Sequence, residues 1–478
     1  MKKMKKYTII LSAIFAMTFM SSCDQDNLNL NPYSSVGADV ALNTIGDFEI
    51  AVNGLYSMMI DEQYYGADFM SFPDVLADNL IINLDARQTQ RSTFEWRYNP
   101  NDTRGSFMAD AYDVVQHANF ILENINKLPA GAARDNIEAQ ALAARALSHF
   151  NLNNVFGKIP TQDAGANESL GISLNFASDI RQTLARNSVQ AVYTSVINDL
   201  VDASEKISSD NGIERFNADA INGLLSRVYL YNGEWQKAVD AANAVTATVS
   251  EFGNFTGIWD DSSDDGVLFK LINRDADTDI STAVPYSQTL TGGILSEYVA
   301  DFGFFNMYSV QDVRQGAFFE TSPFEGDLYN HVIIHNTSSI NAGSGVVDIK
   351  VIRAAEVQLN KAEALANIPG QDAAALAALD LVRNQRYVVN PGGGETGQAL
   401  KDAIQLERRL ELAFQGHRFF DIKRHGEAIQ RTNAGQYADG TGTPPLFLTL
   451  PAGDCKFELA IPVTEINVNP ASTQNPCY

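Results

Sequence analysis

Apolar residues that recur every three or four positions, in one segment after another, constrain this chain to a mainly helical fold. The longest stripe runs through Phe107, Ala111, Val114, Val115, Ala118, Ile121, Leu122, Ile125 and Leu128. That spacing places one apolar face along a helix of 3.6 residues per turn. Pro129 and Gly131 end it, since proline cannot continue the hydrogen-bond ladder and glycine accepts the reversal. Phe48, Val52, Leu55, Tyr56 and Met59 form an earlier stripe, with cap chemistry at Thr44 and Asp47. A further helix is predicted from about Asn136 to Phe156, closed by Gly157 and Pro160.

Two segments read as helix pairs. Ile221, Leu224, Leu225, Val228 and Tyr229 precede an Asn232-Gly233 turn, and Trp235, Ala238, Val239, Ala242 and Val245 follow it. Ile352, Ala355, Leu359, Ala362 and Leu365 precede Pro369-Gly370, with Leu376, Leu379 and Val382 beyond. Divergent hairpins of this kind predict a degenerate tetratricopeptide-like helical-repeat scaffold, an architecture whose usual work is to present a surface. Between the pairs, residues 250–348 are rich in Gly, Asp, Ser, Thr, Tyr and Phe and keep little helical period. Long irregular stretches in compact domains build functional surfaces, here from loops and a few short strands.

The first residues set the compartment. Lys2, Lys3, Lys5 and Lys6 precede an apolar run from Tyr7 to Met20, which meets Ser21-Ser22-Cys23. A basic region, an apolar region too short to span a bilayer and a small-residue cleavage site read as a signal peptide, residues 1–22. A cysteine placed directly after Ser-Ser resembles a lipobox, which implies a lipidated Cys23. The alternative is ordinary secretion with an incidental cysteine. Residues 23–37, polar and Asn-rich, then form a tether, and residues 38–478 one domain, with no Ser/Gly/Pro-rich linker to divide it.

Cleavage would remove four of the 34 basic residues and none of the 58 acidic ones, leaving a chain more acidic than its full-length charge of −24. Such a surface repels phosphate backbones, which argues against a nucleic-acid partner. Cys455 and Cys477 remain as thiols: in an oxidising compartment they are candidates for a disulfide, the alternative being two separate thiols. His-Glu-x-x-His, Gly-x-Ser-x-Gly and Gly-x-x-x-x-Gly-Lys motifs are absent, so no catalytic residue, metal ligand or cofactor is assigned. With 58 acidic residues, a carboxylate pair of the glycoside-hydrolase kind is certain to occur by chance and carries no information. The run from Asp261 to Gly266 begins like a calcium loop, but Ile272 stands where a bidentate Glu is needed, and a solvated turn is the better reading. His417 and His425 read as structural.

Glu407 to Gly426, ERRLELAFQGHRFFDIKRHG, closely resembles the C-terminal motif of the SusD/RagB family. Its helix is expected to place Leu406, Leu410, Ala413 and Phe414 on one face, and Arg418, Asp421 and Arg424 to form a buried network. The final residues, LAIPVTEINVNPASTQNPCY, resemble the family's terminal pattern, with Cys477 replacing the glycine expected before the last tyrosine. That departure ties Cys477 to Cys455. Weaker likenesses at Ala354–Ala364, Ala378–Arg386, Ala139–Gly157 and Ala111–Ile125 carry the resemblance along the whole mature chain. It implies a lipid-anchored outer-membrane protein that captures an oligosaccharide, or a non-sugar nutrient such as peptide. Delivery would be to a SusC-like TonB-dependent transporter, without catalysis of its own, a glycoside hydrolase being the less favoured alternative.

Sugar rings are gripped by flat aromatic side chains with polar partners at the rim. The resemblance places such a surface in the loops after the first helices and in the central irregular region. The candidates there are Trp96, Tyr98, Trp259 and Tyr286, with Asp78, Asn79 and Arg97 as polar partners.

Overall fold

The computed structural model describes residues 41–208, 210–274, 282–336, 338 and 345–478. The expected signal peptide, the lipidated Cys23 and the tether lie outside the described residues.

Helix α1, Ile45–Met59, starts on a capping box in which Thr44 Oγ1 accepts from Asp47 N and the Asp47 carboxylate accepts from Thr44 N. Helices α2 (Asp68–Leu76), α3 (Gly105–Asn124), α4 (Ala132–Phe156) and α5 (Val189–Lys206) follow. Helix α3 stops four residues short of the predicted end, tightening into a single turn of 3₁₀ helix at Ile125–Lys127 before Pro129. Helix α4 is buried on nearly all sides from Ile137 onward. Its alanines, Ala139, Ala141, Ala143, Ala144 and Ala146, let α3 and α5 pack against it from two sides.

The two predicted hairpins are α6 (Ala218–Tyr231) with α7 (Trp235–Ala244), and α8 (Ala354–Ala366) with α9 (Asp372–Arg383). Gly233 and Gly370 make the turns at φ 74° and 78°, a conformation costly for other residues. Helix α8 packs on both members of the first pair, and α10 (Gly397–Glu411) packs on α8, so the helix pairs stack as a repeat scaffold. α11 (Arg418–Arg424) closes the series. Among the described residues no helix is long and apolar enough to cross a membrane.

Short strands gather around the central region: β1 (Leu80–Ile82), β2 (Val267–Leu271), β3 (Gln288–Leu290), β4 (Gly293–Leu295), β5 (Tyr298–Ala300), β6 (Phe319–Phe324), β7 (Asp327–Val332) and β8 (Ile349–Arg353). They pair two by two and antiparallel: β1 with β5, β2 with β8, β3 with β4, β6 with β7. Ile352, read above as the first residue of a helical stripe, belongs to β8, where pairing with β2 buries the whole run Ile349–Arg353. A second core, distinct from that of the helical stack, gathers Phe255, Trp259, Tyr286, Phe304, Phe318 and Phe414.

The C-terminal motif departs from its expected helical face. Helix α10 ends at Glu411, and Phe414 turns the chain at φ 61°. Leu410, Ala413 and Phe414 are buried, but Leu406 is 47% exposed. What the motif buries instead is charge. Glu411, fully enclosed, accepts from Arg386 Nε at 2.8 Å, Arg353 Nη1 at 2.7 Å and Arg314 Nη1 at 3.3 Å. Arg408 and Arg424 both donate to Asp421 through Nε at 2.9 Å, and Arg424 also holds Glu363. Arg418, expected in that group, reaches Asp78 instead. Burial would raise the carboxyls of Glu411 and Asp421, but the surrounding guanidinium groups outweigh it and hold both at about 2.

Candidate functional site

The four aromatic candidates do not form a platform. Trp96 is 7%, Tyr98 2%, Trp259 5% and Tyr286 0% exposed. Trp96 donates its indole N–H to Leu76 O at 2.9 Å, and the Arg431 guanidinium lies between its ring and that of Phe94, 4.0 and 3.8 Å from the two centroids. Tyr98 donates to Lys456 O. Trp259 and Tyr286 pack in the second core. Large rings bury wherever neighbours can surround them, and here helices on one side and short strands on the other do so.

Two polar candidates are likewise committed. Asp78 is held by Arg418 and Arg409, and Asn79 Oδ1 accepts from Arg409 Nε at 2.8 Å. Arg97 is open to solvent and pairs with its neighbour Glu95, Nε to Oε2 at 2.6 Å. Asp261 is occupied as well: its carboxylate, shut off from solvent, accepts from Lys350 Nζ at 2.5 Å.

A partly exposed ring and polar groups gather instead where the loop after β1, the central strands and a C-terminal loop around Tyr437 meet. Strand β1 runs into a loop pinned by Asn83, whose backbone and side chain donate to Glu297 O at 2.8 Å and Ser296 O at 3.0 Å. Asp85 N donates back to Asn83 Oδ1 at 3.0 Å, a local turn that carries the Asp85 carboxylate outward. That carboxylate accepts from Gln436 Nε2 at 3.2 Å and the Tyr329 hydroxyl at 3.4 Å. The rings of Tyr329, at the start of the buried part of β7, and Tyr437 meet edge to face with centroids 5.6 Å apart. Tyr437 is partly exposed, with Phe324 packed beside the pair and Leu328, 52% exposed, next to it. On the other side of Asp85, Arg87 spans Gln288 Oε1 at 2.8 Å and Glu297 Oε1 at 2.9 Å.

Burial raises the Tyr437 hydroxyl above its ordinary value, and Asp85 and Asp327 push it the same way, so it stays protonated as a donor. The result is a surface patch with a partly exposed ring, a carboxylate, the Gln288 amide and a guanidinium, in which Gln436, buried and bonded at both ends of its amide, holds Asp85 in place. Asp85, Arg87, Tyr329 and Tyr437 were missed because they stand singly in polar, turn-rich sequence, LDAR, GDLYN and QYADGTG, where no cluster of rings draws attention. Turn residues flanking a lone ring were the available signal.

A helical-repeat scaffold carrying loop-built polar and aromatic surface is the architecture of a protein that presents a binding surface. The comparisons give its family. Residues 259–478 match the model of the SusD family, and residues 26–230 match that of a SusD-like group described as starch-binding and associating with the outer membrane. A SusD-like protein, P2, from Formosa agariphila is 24% identical over 88% of this chain and 91% of its own. The crystal structure of a sugar-binding protein, so described provisionally, from Bacteroides vulgatus superposes with a TM-score of 0.80 at 26% identity, covering 92% of this chain and 99% of that one. A SusD superfamily protein from Bacteroides thetaiotaomicron gives 0.80 at 25% identity, over 91% and 100%. The chain belongs to the SusD/RagB family: it is a SusD-like, non-catalytic, glycan-binding protein associated with the outer membrane.

Proposed function

We propose that the protein captures an oligosaccharide at the cell surface, tethered through a lipidated Cys23, and hands it to a SusC-like TonB-dependent transporter. Ligand contacts stabilise a closed arrangement over the transporter, and binding energy rather than bond breaking does the work. The observation that carries this reading is the partly exposed Tyr437 ring beside the Asp85 carboxylate, with Arg87 and Gln288 on the far side of that carboxylate, which sets an aromatic ring and hydrogen-bonding groups of both kinds along one stretch of surface. The description of the Bacteroides vulgatus relative as a sugar-binding protein supports it.

Calorimetry of the mature protein against a panel of neutral glycans tests the reading. One glycan class should bind with an affinity on the order of micromolar, weakened tenfold or more by Tyr437→Ala, about 1.4 kcal/mol, with unchanged thermal unfolding. No binding across the panel, or binding indifferent to Tyr437→Ala, would overturn it; saturable binding of a peptide panel instead would identify a non-sugar nutrient. Co-purification of the transporter from outer membranes, lost on Cys23→Ala, tests the delivery step.

A further inference from the structure

A groove of about 320 Å³ lies on the helical stack, away from the Tyr437 patch, between the start of α7, the end of α8, α10 and the residue after α11. Trp235 forms one wall; it is only partly buried, and among the described residues no other ring stacks on it. Lys401 stands across the groove. Its Nζ donates to Asn367 Oδ1 at 2.9 Å and has no carboxylate partner among the described residues. The groove's one acid, Glu363, is already neutralised, gripped by Arg424 and by His425 Nε2 at 2.8 Å. In a chain of net charge −24, this concavity therefore carries uncompensated positive charge.

We infer that this groove is a second saccharide site, selective for a sugar that bears an anionic group. The flat indole offers the apolar face of a pyranose a stacking partner, the partly exposed Gln405 amide in the groove's lining offers hydroxyls a partner, and Lys401 supplies the charge that a carboxylate or sulfate would meet. Its volume falls at the lower end of the range for small-ligand sites, enough for one or two sugar rings. A neutral glycan gains only the stacking. The preference for an anion is what separates this groove from the Tyr437 patch, where the Asp85 carboxylate is exposed and repels one.

Titration calorimetry with trigalacturonate, a 6-sulfated galactose trisaccharide and neutral galactotriose tests the assignment on the mature protein. At least one anionic trisaccharide should bind, at least tenfold more tightly than the neutral one, and the better of the two identifies the group as carboxylate or sulfate. Lys401→Gln and Trp235→Ala should each weaken that binding tenfold or more, while Trp235→Phe retains it and Tyr437→Ala leaves it unaltered. Lys401 is a surface residue, so Lys401→Gln remains informative even where Trp235→Ala lowers stability. No anionic binding, equal binding of the neutral sugar, or anionic binding indifferent to Lys401→Gln overturns the inference. The two sites fail separately: loss of neutral-glycan binding on Tyr437→Ala is independent of Lys401.

Discussion

The Arg418 guanidinium grips the Asp78 carboxylate through two hydrogen bonds, Nε to Oδ1 at 2.7 Å and Nη2 to Oδ2 at 2.9 Å, across 340 residues of sequence. The pair ties α11 to the segment after α2, and Arg409 joins it at 3.3 Å. Burial would raise the Asp78 carboxyl, but Arg418 and Arg409 outweigh it and leave it below the ordinary range. Removing one partner of a buried pair strands the other, at a cost of about 3–5 kcal/mol. Asp78→Ala should lower the urea unfolding free energy by that order while leaving glycan affinity intact in the remaining folded protein. A selective loss of affinity at unchanged stability would return Asp78 to the ligand site.

Trp96 and Trp259 are predicted to act in the same way. Each is buried against an arginine, Arg431 for Trp96 and Arg353, 5.0 Å from the ring centroid, for Trp259. Alanine at either position should cost about 3–5 kcal/mol of stability through cavity formation. Thermal melts distinguish this from a ligand contact, whose loss would leave the unfolding temperature in place.

His149 is fully buried, and both ring nitrogens lack a hydrogen-bond partner among the described residues. Burial, with help from Arg145, pushes it down to about 3 from 6.5. The unfolded chain therefore takes up a proton at His149 near pH 6.5 that the folded chain refuses, and this share of stability is lost as pH falls from 6.5 towards 3. At pH 4.5 the loss is about 3 kcal/mol. His149→Leu should flatten the fall in urea midpoint between pH 7 and 4.5. An unchanged slope would show that the ring is protonated in the fold.

Below pH 4.5 the buried carboxylates take over. Glu356, Glu411 and Asp421 are all held at about 2 by neighbouring cations despite burial, so their stabilisation is complete above pH 4.5 and fades as pH falls towards 2. Glu411→Gln should remove one of the three shares of that dependence and leave Arg314, Arg353 and Arg386 crowded together, destabilising the protein at neutral pH. Chemical denaturation at pH 7, 4.5 and 3 checks both effects.

Cys455 and Cys477 are joined in the structure with Cα atoms 6.1 Å apart, closing a 22-residue span at the C-terminus. A loop of that length contributes about 3 kcal/mol when cross-linked. Thiol titration of the unreduced mature protein should find neither cysteine free, and reduction should lower the unfolding temperature. Two free thiols would exclude the bond.

The helices, the two hairpins and their turns follow from sequence alone, because 3.6-residue periodicity and glycine's access to positive φ are local properties. Family membership was equally legible, since Glu407–Gly426 and the terminal residues are contiguous. Their physical role was legible only in part: a buried network through Asp421 and Arg424 was expected, but Glu407, Arg408, Arg409 and Glu411 look like the charged face of a surface helix, and only the arrival of Asp78, Arg314, Arg353 and Arg383 from elsewhere, with Asp421 folded back on Arg408, makes them a buried lattice. The same holds for the rings. An aromatic side chain in polar sequence is equally suited to core or ligand, and what decides is whether distant segments cover it. Helix α2 and Arg431 cover Trp96, the second core covers Trp259 and Tyr286, and Tyr437 is left partly open. Sequence set the elements and the kinship; exposure, being a property of the packed chain, was decided only by the tertiary structure.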